Sequence, residues 1–161
     1  MRAIILAAGK GMRMDHHTME KPKSMVDVQG KPILVRTLEN MHNAGIKEVI
    51  ILTGYHEHII KEAIKDKFQD IDIKYVTNEK YAETNNIYSL YLAKEFLKGD
   101  VIITAGDILT KPEVIKSVVQ DKTPSIGVIS PFREELNGTC VQVNGCYIEK
   151  LFLKKDQDEN F

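Results

Sequence analysis

Short apolar runs alternate with amphipathic segments along most of the chain, and this alternation limits the fold more than any other feature of the sequence. The strand-like runs are RAIIL, EVIILT, IDIKYV, DVIITA and SIGVIS, at positions 2–6, 48–53, 71–76, 100–105 and 125–130. Segments with helical spacing of apolar residues lie between them, at 31–45, 58–68, 85–97 and 111–120. Largely apolar strands are typical of parallel sheets buried on both faces. The pattern predicts an α/β fold whose mostly parallel sheet is covered by helices on both faces.

A different pattern occupies the C-terminal part of the chain. The segment GTCVQVNGCYIEKLFL alternates around Asn144-Gly145, which is a strong hairpin signal. We expect a C-terminal antiparallel hairpin there, as an extension of the sheet. No linker or repeat divides the sequence, so residues 1–161 are expected to form one domain. Because the chain stops in the charged run KKDQDENF, we expect this domain to lack its C-terminal part.

The charge balance excludes partners that are recognised through bulk electrostatics. There are 22 Lys and Arg residues against 23 Asp and Glu residues, for a net charge of −1. We therefore expect neither a nucleic acid nor a membrane as partner. The apolar runs are too short to cross a bilayer, and the N-terminus lacks the pattern of a signal peptide. With Cys140 and Cys146 as its cysteines, the chain is expected to be cytoplasmic with reduced thiols; the sequence indicates no oligomeric state.

Gly9-Lys10-Gly11 follows the first predicted strand, so two well-known phosphate-binding loops have to be tested there. A dinucleotide-binding fingerprint would need a third glycine at the position of Met14. It would also need an acidic residue at the end of the second strand, where the chain has Leu-Thr-Gly. A Walker-type loop would need a glycine, four spacer residues, and then Gly-Lys followed directly by Ser or Thr. The sequence contains no such string. Position excludes both loops.

The remaining string, LAAGKGMR followed by EKPK, still combines groups that suit a polyphosphate. Glycines let a ligand approach the backbone, and successive N–H groups in such a turn bind anions. Arg13 offers a fork of donors for phosphate oxygens, and Lys23 offers a point charge whose direction Pro22 restricts. For the glycines alone, a plain turn with solvated cations is the alternative interpretation.

This string resembles the signature of the nucleotidyltransferases typified by sugar-phosphate nucleotidylyltransferases, and the resemblance covers essentially the whole chain. It implies a Rossmann-like fold and the joining of a nucleoside triphosphate to a small phosphorylated molecule. It also implies catalytic roles for Arg13 and Lys23, with Lys23 on the reacting phosphates. The nucleotide-binding residues that it implies at this edge are Leu6, Ala7, Ala8, Gly9, Gly11, Arg13, Lys23 and Gly106.

A second block, NEKYAETNNIYSLYLA, resembles bacterial-type phosphocholine cytidylyltransferases and 2-aminoethylphosphonate cytidylyltransferases. Asn78, Asn85 and Ser89 carry amide and hydroxyl groups that can read a pyrimidine edge. Tyr81 could stack on the base or form a pocket wall. For Asn85, capping of the following helix is an equal alternative. The choice of cytosine over uracil comes from the resemblance alone.

Asp107 stands just after the apolar run DVIITA, on the edge expected to carry the ligand. It could cap the next helix, but beside a triphosphate Mg²⁺ coordination is favoured, because Mg²⁺ combines one or two carboxylates with phosphate oxygens. The resemblance points to the same residue and implies a second metal-binding Asp from a later segment. Asp156 and Asp158 are the local candidates. The preferred location is beyond Phe161, in which case this chain alone would be catalytically crippled.

Together these features predict a cytidylyltransferase that transfers CMP from CTP to a small phosphorylated or phosphonate acceptor, releases pyrophosphate and uses Mg²⁺. The expected acceptors are 2-aminoethylphosphonate and phosphocholine, with a lean toward the phosphonate. One alternative is a sugar-1-phosphate nucleotidylyltransferase. The other is a non-catalytic nucleotide-binding module of a larger protein.

Overall fold

The computed structural model describes residues 1–11, 20–123, 126–129 and 139–153. The strands are β1 (Arg2–Leu6), β2 (Asp27–Val28), β3 (Lys31–Pro32), β4 (Glu48–Thr53), β5 (Asp72–Thr77), β6 (Val101–Ala105), β7 (Thr139–Asn144) and β8 (Tyr147–Leu153). The α-helices are α1 (Ile33–Asn43), α2 (Glu57–Ile64), α3 (Asn86–Leu92) and α4 (Pro112–Gln120), with short 3-10 helices at Lys23–Met25 and Lys94–Phe96. The chain divides into two compact units, Met1–Lys122 and Thr123–Phe161.

Within the described part of the first unit, four parallel strands form one sheet in the order β5-β4-β1-β6. The chain adds β4 and β5 on one side of β1 and then returns to add β6 on the other side. Leu6, at the end of β1, lies between Leu52 of β4 and Ala105 of β6. Where strand order reverses in this way, a crevice opens beyond the carboxyl ends of the two flanking strands. The predicted parallel sheet is confirmed, and β1 and β6 flank its crevice.

Helices cover both faces of this sheet, as predicted. Ala3 and Ile5 of β1 belong to a buried cluster that includes residues of α1, α2 and α4. Ile4, between them, belongs to a second cluster on the other face, which Leu90 of α3 joins at its margin. Because side chains alternate across a strand, β1 needs apolar residues at every one of these positions. All three are fully buried.

The ends of the helices follow signals that are local in the sequence. After α1, Gly45 adopts φ +87°, and its N–H donates to the His42 carbonyl. The next N–H, of Ile46, donates to the carbonyl of Met41, which completes a Schellman motif. Pro112 begins α4, where its missing N–H has no intrahelical partner to lose. Among the described helices, none has both the length and the apolar character needed to span a membrane.

The predicted strand over SIGVIS is wrong for the residues that can be assessed. Residues 126–129 carry no strand, and Ile126, Val128 and Ile129 are exposed. Their composition suits a buried strand, but a strand also needs a neighbour with which to exchange hydrogen bonds. No described strand pairs with this segment.

The predicted hairpin is confirmed, with its turn one residue later than expected. Asn144 pairs with Tyr147, so the two loop residues are Gly145 and Cys146. Gly145 has φ +62°, which suits the glycine that hairpin turns favour at the first loop position. In the described residues β7 and β8 form a sheet of their own, so the expected extension of the parallel sheet is not observed.

Candidate functional site

A cavity of about 550 Å³ opens at the carboxyl ends of β1 and β6, inside the first unit. Its walls come from the loop after β1, the 3-10 helix at Lys23–Met25, the segment between β5 and α3, and the end of β6. The lining residues are Leu6, Ala7, Gly9, Lys10, Gly11, Lys23, Ser24, Tyr81, Ala82, Thr84, Asn86, Ala105 and Asp107. The cavity is therefore the crevice expected from the strand order.

The loop after β1 presents bare backbone to this cavity. A Cβ added to Gly9 would meet no atom within 4 Å, so the space beside Gly9 is open. Gly11 has φ +66°, a conformation that favours glycine. Between them, Lys10 holds its Nζ 5.6 Å from the centre of the Tyr81 ring. The loop thus combines room for a ligand with a nearby positive charge.

Lys23 and Asp107 form an ion pair in the cavity wall. Lys23 Nζ lies 2.6 Å from Asp107 Oδ2, and the two side chains are 33% and 30% exposed. Lys23 begins its 3-10 helix directly after Pro22, and Asp107 follows β6 by two positions. These segments are distant in the sequence, so the tertiary fold makes the pair. The ion pair places an ammonium and a carboxylate side by side in the cavity wall.

Gly106 lets the loop that carries Asp107 pack closely against β1. Its N–H donates to the carbonyl of Leu6 at 2.8 Å. A Cβ at this position would lie 3.1 Å from Ala7 Cβ and 3.2 Å from Ser24 Cβ. Gly106 therefore allows close packing among site residues without itself lining the cavity.

Gly54, a residue outside the predicted set, allows similarly close packing beside Tyr81. A Cβ at Gly54 would lie 2.8 Å from Tyr81 Cβ and 2.9 Å from the carbonyl oxygen of Ala8. That carbonyl also accepts a hydrogen bond from the Tyr55 N–H at 3.0 Å. The missing side chain at Gly54 allows Tyr81 to reach the glycine loop.

Asn78 is 1% exposed, and its side chain holds the segment between β5 and α3 together. Its Nδ2 donates to Thr84 Oγ1 at 2.9 Å and to Ser89 Oγ at 3.0 Å. Its Oδ1 accepts from the Lys80 N–H at 3.0 Å. These bonds occupy the amide, and neither Asn78 nor Ser89 belongs to the lining of the cavity.

Asn85 caps α3, which was one of the two alternatives for this residue. Its Oδ1 accepts hydrogen bonds from the N–H groups of Ile87 and Tyr88, at 3.1 and 3.4 Å. Its neighbour Asn86, the first residue of α3, lines the cavity instead. The asparagine that lines the cavity at the start of α3 is therefore Asn86, one position after the predicted Asn85.

Glu57 ties the carboxyl ends of β4 and β5 to α2. Its Oε2 accepts from Thr53 Oγ1 at 2.8 Å and from Thr77 Oγ1 at 2.7 Å, and its Oε1 lies 2.9 Å from Lys61 Nζ. Desolvation raises the pKa of this carboxyl, but the hydrogen bonds from Lys61, Thr77 and Thr53 outweigh it and lower the pKa from 4.5 to about 2. Glu57 is therefore ionised at neutral pH.

The structure brings together about half of the predicted site residues. Those that line the cavity are Leu6, Ala7, Gly9, Gly11, Lys23, Tyr81 and Asp107. Those placed outside its lining are Ala8, Asn78, Asn85, Ser89 and Gly106. Arg13, Asp156 and Asp158 lie outside the described residues.

Sequence reasoning missed several residues that line the cavity. They are Lys10, Ser24, Ala82, Thr84, Asn86 and Ala105. Each is an immediate neighbour of a predicted residue or belongs to one of the three quoted blocks, so neighbouring positions in the sequence were the signal that could have found them. Among the described residues, no group of three or more His, Cys, Asp or Glu could hold a metal ion. Asp107 is the carboxylate that reaches the cavity.

Comparison with known proteins identifies the family. The Nucleotidyl transferase family matches residues 2–133. The chain is 33% identical over 144 residues to CMP-5'-(3-aminopropyl)phosphonate synthase of Streptomyces rubellomurinus, covering 89% of this chain and 23% of that protein. It is 41% identical over 132 residues to choline-phosphate cytidylyltransferase of Haemophilus influenzae, covering 76% of this chain and 54% of that protein.

A solved structure shows the same relationship. The CTP:phosphocholine cytidylyltransferase of Streptococcus pneumoniae (LicC) has a TM-score of 0.60 and 37% identity, over 66% of this chain and 44% of that chain. The present chain thus spans about half the length of two of these relatives and less of the third. The family match runs from β1 past α4 and contains every described residue of the cavity. By this match, the chain belongs to the nucleotidyl transferase family.

Proposed function

We propose that this chain carries the CTP-binding part of a cytidylyltransferase, which transfers CMP to a small amine-bearing phosphonate or phosphate ester. The names of the two relatives refer to an aminopropylphosphonate and to choline phosphate. These two acceptors share an oxyanion at one end of a short chain and a cationic nitrogen at the other. We infer an acceptor of this class here, because both relatives are similar to most of the chain.

The observation that carries the proposal is the Lys23–Asp107 pair beside an open glycine loop. The ammonium of Lys23 and that of Lys10 favour an anionic ligand in the cavity. The open space at Gly9 allows that ligand to approach backbone N–H groups. A triphosphate has the charge and the length to use these groups together.

In the proposed reaction, an oxyanion of the acceptor attacks the α-phosphorus of CTP. A new P–O bond forms as the bond to the β-phosphate oxygen breaks, and pyrophosphate leaves with the electron pair. Both reactants are anions, so neutralising their charge is the main task of the site. Lys23 can place its ammonium on the phosphate oxygens when it releases Asp107. Arg13, outside the described residues, is proposed to add a second cation.

Mg²⁺ is proposed as the cofactor, and Asp107 fits it. Mg²⁺ binds oxygen ligands and commonly uses one or two carboxylates together with substrate phosphates. Asp107 lines the cavity and would hold the ion together with phosphate oxygens. When bound, the ion would neutralise charge on the phosphates. The ion pair with Lys23 is consistent with this role, since Asp107 has a positive charge beside it at the cavity wall.

The nucleoside is proposed to lie against the segment between β5 and α3. Tyr81 offers a ring for stacking, and Asn86 offers an amide with donors and an acceptor. Thr84 is held by Asn78 and by the Lys80 carbonyl, so this part of the wall is well ordered by its own hydrogen bonds. The preference for cytosine is inferred from the relatives.

The test is pyrophosphate release with Mg²⁺ and each of the four ribonucleoside triphosphates, by a longer polypeptide that contains this chain and continues past Phe161, because the chain spans only part of the length of its relatives. The acceptors are 2-aminoethylphosphonate, 3-aminopropylphosphonate, phosphocholine and glucose 1-phosphate. We expect release with CTP and an amine-bearing acceptor. Release that requires UTP and glucose 1-phosphate would favour a sugar-1-phosphate enzyme. Calorimetric binding of CTP without release from any acceptor would favour a nucleotide-binding module.

A further inference from the structure

Ser24 is a buried residue whose hydroxyl lacks a partner. The residue is 3% exposed, and its Oγ has no hydrogen-bond partner among the described residues. Buried polar side chains normally have a partner, and an exception calls for an explanation. Other buried hydroxyls of the described chain follow the rule: Thr37 donates to the Ile33 carbonyl, Thr53 donates to Glu57, and Ser89 accepts from Asn78.

The location of Ser24 indicates where its partner comes from. Ser24 lines the cavity and directly follows Lys23 in the 3-10 helix. On its other side is Gly106, where an added Cβ would lie 3.2 Å from Ser24 Cβ. Gly106 directly precedes Asp107. The Ser24 side chain therefore lies where the segment of Lys23 meets the segment of Asp107.

We propose that Ser24 binds the ligand, by donating its hydroxyl hydrogen to a phosphoryl or phosphonyl oxygen held beside Lys23. This inference rests on the proposed function, since it names a further residue of the same site. An oxyanion is the partner that the surroundings favour, because the neighbouring ammonium attracts anions and hydrogen bonds to charged acceptors are the stronger ones. A serine hydroxyl can turn between staggered positions, so the contact needs no movement of the backbone.

The experiment compares Ser24→Ala with the unmodified chain in calorimetric titrations with CTP and, separately, inorganic pyrophosphate, both with Mg²⁺. We expect the affinity for both ligands to fall about tenfold, as for loss of one hydrogen bond to a charged group. We expect Tm without ligand to stay the same or to rise, because the substitution removes a hydroxyl that has no partner among the residues that the structure describes.

Two matched serine variants serve as controls. Ser89 is 2% exposed, but its hydroxyl accepts from Asn78, so Ser89→Ala should lower Tm. Ser117 is on the exposed side of α4, where its hydroxyl donates to the Val114 carbonyl. Ser117→Ala should leave the affinities for CTP and pyrophosphate unchanged.

The possible results distinguish a failure of the inference about Ser24 from a failure of the proposed function. If Ser24→Ala binds both ligands as tightly as the unmodified chain, the inference about Ser24 is wrong and the proposed function stands. If Ser24→Ala lowers Tm as Ser89→Ala does, the hydroxyl serves the fold, and the inference is again wrong. If the folded, unmodified chain binds neither CTP nor pyrophosphate, the proposed function fails and the role of Ser24 fails with it.

Discussion

Two lysines on either side of Pro22 show how much the surroundings of a single residue matter. Lys21 pairs with Asp27 at 3.1 Å, and both side chains are more exposed than those of the Lys23–Asp107 pair. Lys23 lines the cavity, whereas Lys21 does not. The same residue type thus forms a surface ion pair at one position and part of the proposed site at the other.

Replacing Lys23 by alanine should lower kcat/KM for pyrophosphate release by about 100-fold. Loss of one contact that stabilises transition-state charge typically costs on the order of 3 kcal/mol. Lys21→Ala is the matched control and should stay near the unmodified rate, because an exposed pair contributes about 0–1 kcal/mol. Equal rates for the two variants would remove Lys23 from the proposed mechanism.

Gly54 and Gly9 should respond differently to alanine. Gly54→Ala places a Cβ 2.8 Å from Tyr81 Cβ, and such overpacking should lower the free energy of unfolding by about 1–3 kcal/mol. Gly9→Ala places its Cβ in open space, so stability should change by about 0.5 kcal/mol or less. CTP affinity should nevertheless fall for Gly9→Ala, because the methyl group enters the space proposed for the ligand. Urea unfolding measures the stability of the two variants, and calorimetric titration measures their affinity for CTP. Equal stabilities of Gly54→Ala and Gly9→Ala would contradict the packing argument.

Among the elements, α3 depends most on side-chain hydrogen bonds at its start. It has seven residues, and helices this short are marginal by themselves. Two of its residues, Ile87 and Tyr91, are 71% and 58% exposed. The Asn85 cap and the Asn78–Ser89 hydrogen bond therefore hold the helix against the segment that lines the cavity.

Asn85→Ala should lower the free energy of unfolding by about 1 kcal/mol, the usual contribution of an N-cap. Asn85→Ser is the matched control and should retain most of the stability, because serine is also a good cap. The measurement is urea unfolding at neutral pH. A serine variant that is no more stable than the alanine variant would show that the cap contributes nothing here.

For the whole molecule, Glu57 is a source of acid sensitivity. It links two strands of the sheet to α2, and its pKa in the folded chain is about 2, below its ordinary value of 4.5. A lowered pKa means that the ionised carboxylate stabilises the fold above about pH 4.5. This contribution is lost as the pH falls from about 4.5 to about 2.

Glu57→Gln should therefore be less stable than the unmodified chain at pH 7, by about 1–2 kcal/mol after solvent screening is allowed for. The difference between the two should be much smaller at pH 2, where about half of the Glu57 carboxyl groups of the unmodified chain are protonated. Urea unfolding at the two pH values measures both differences. A difference that is the same at pH 2 and pH 7 would contradict the assigned pKa shift.

Much of the fold was predictable because its signals are local. Consecutive apolar residues in β1 predict the complete burial of Ile4 and Ile5 on opposite faces of the strand. Gly45 likewise predicts the end of α1. The strand predicted over SIGVIS is wrong because a strand-like composition does not show whether a neighbouring strand is available for pairing. The sequence predicts a base contact for Asn78, because an amide in a polar segment gives no sign that its donors will bind Thr84 and Ser89.

The sequence by itself determined the alternating elements, the glycine loop after β1, and the three segments that surround the cavity. Periodicity and turn residues act over a few positions, so the sequence displays them directly. Only the tertiary structure decided which side chains within those segments meet: Lys23 contacts Asp107, Lys10 lies by Tyr81, and the Ser24 hydroxyl has no partner in the described part of the chain. Such contacts depend on ångström-scale approach between segments distant in the chain, which the order of residues does not display.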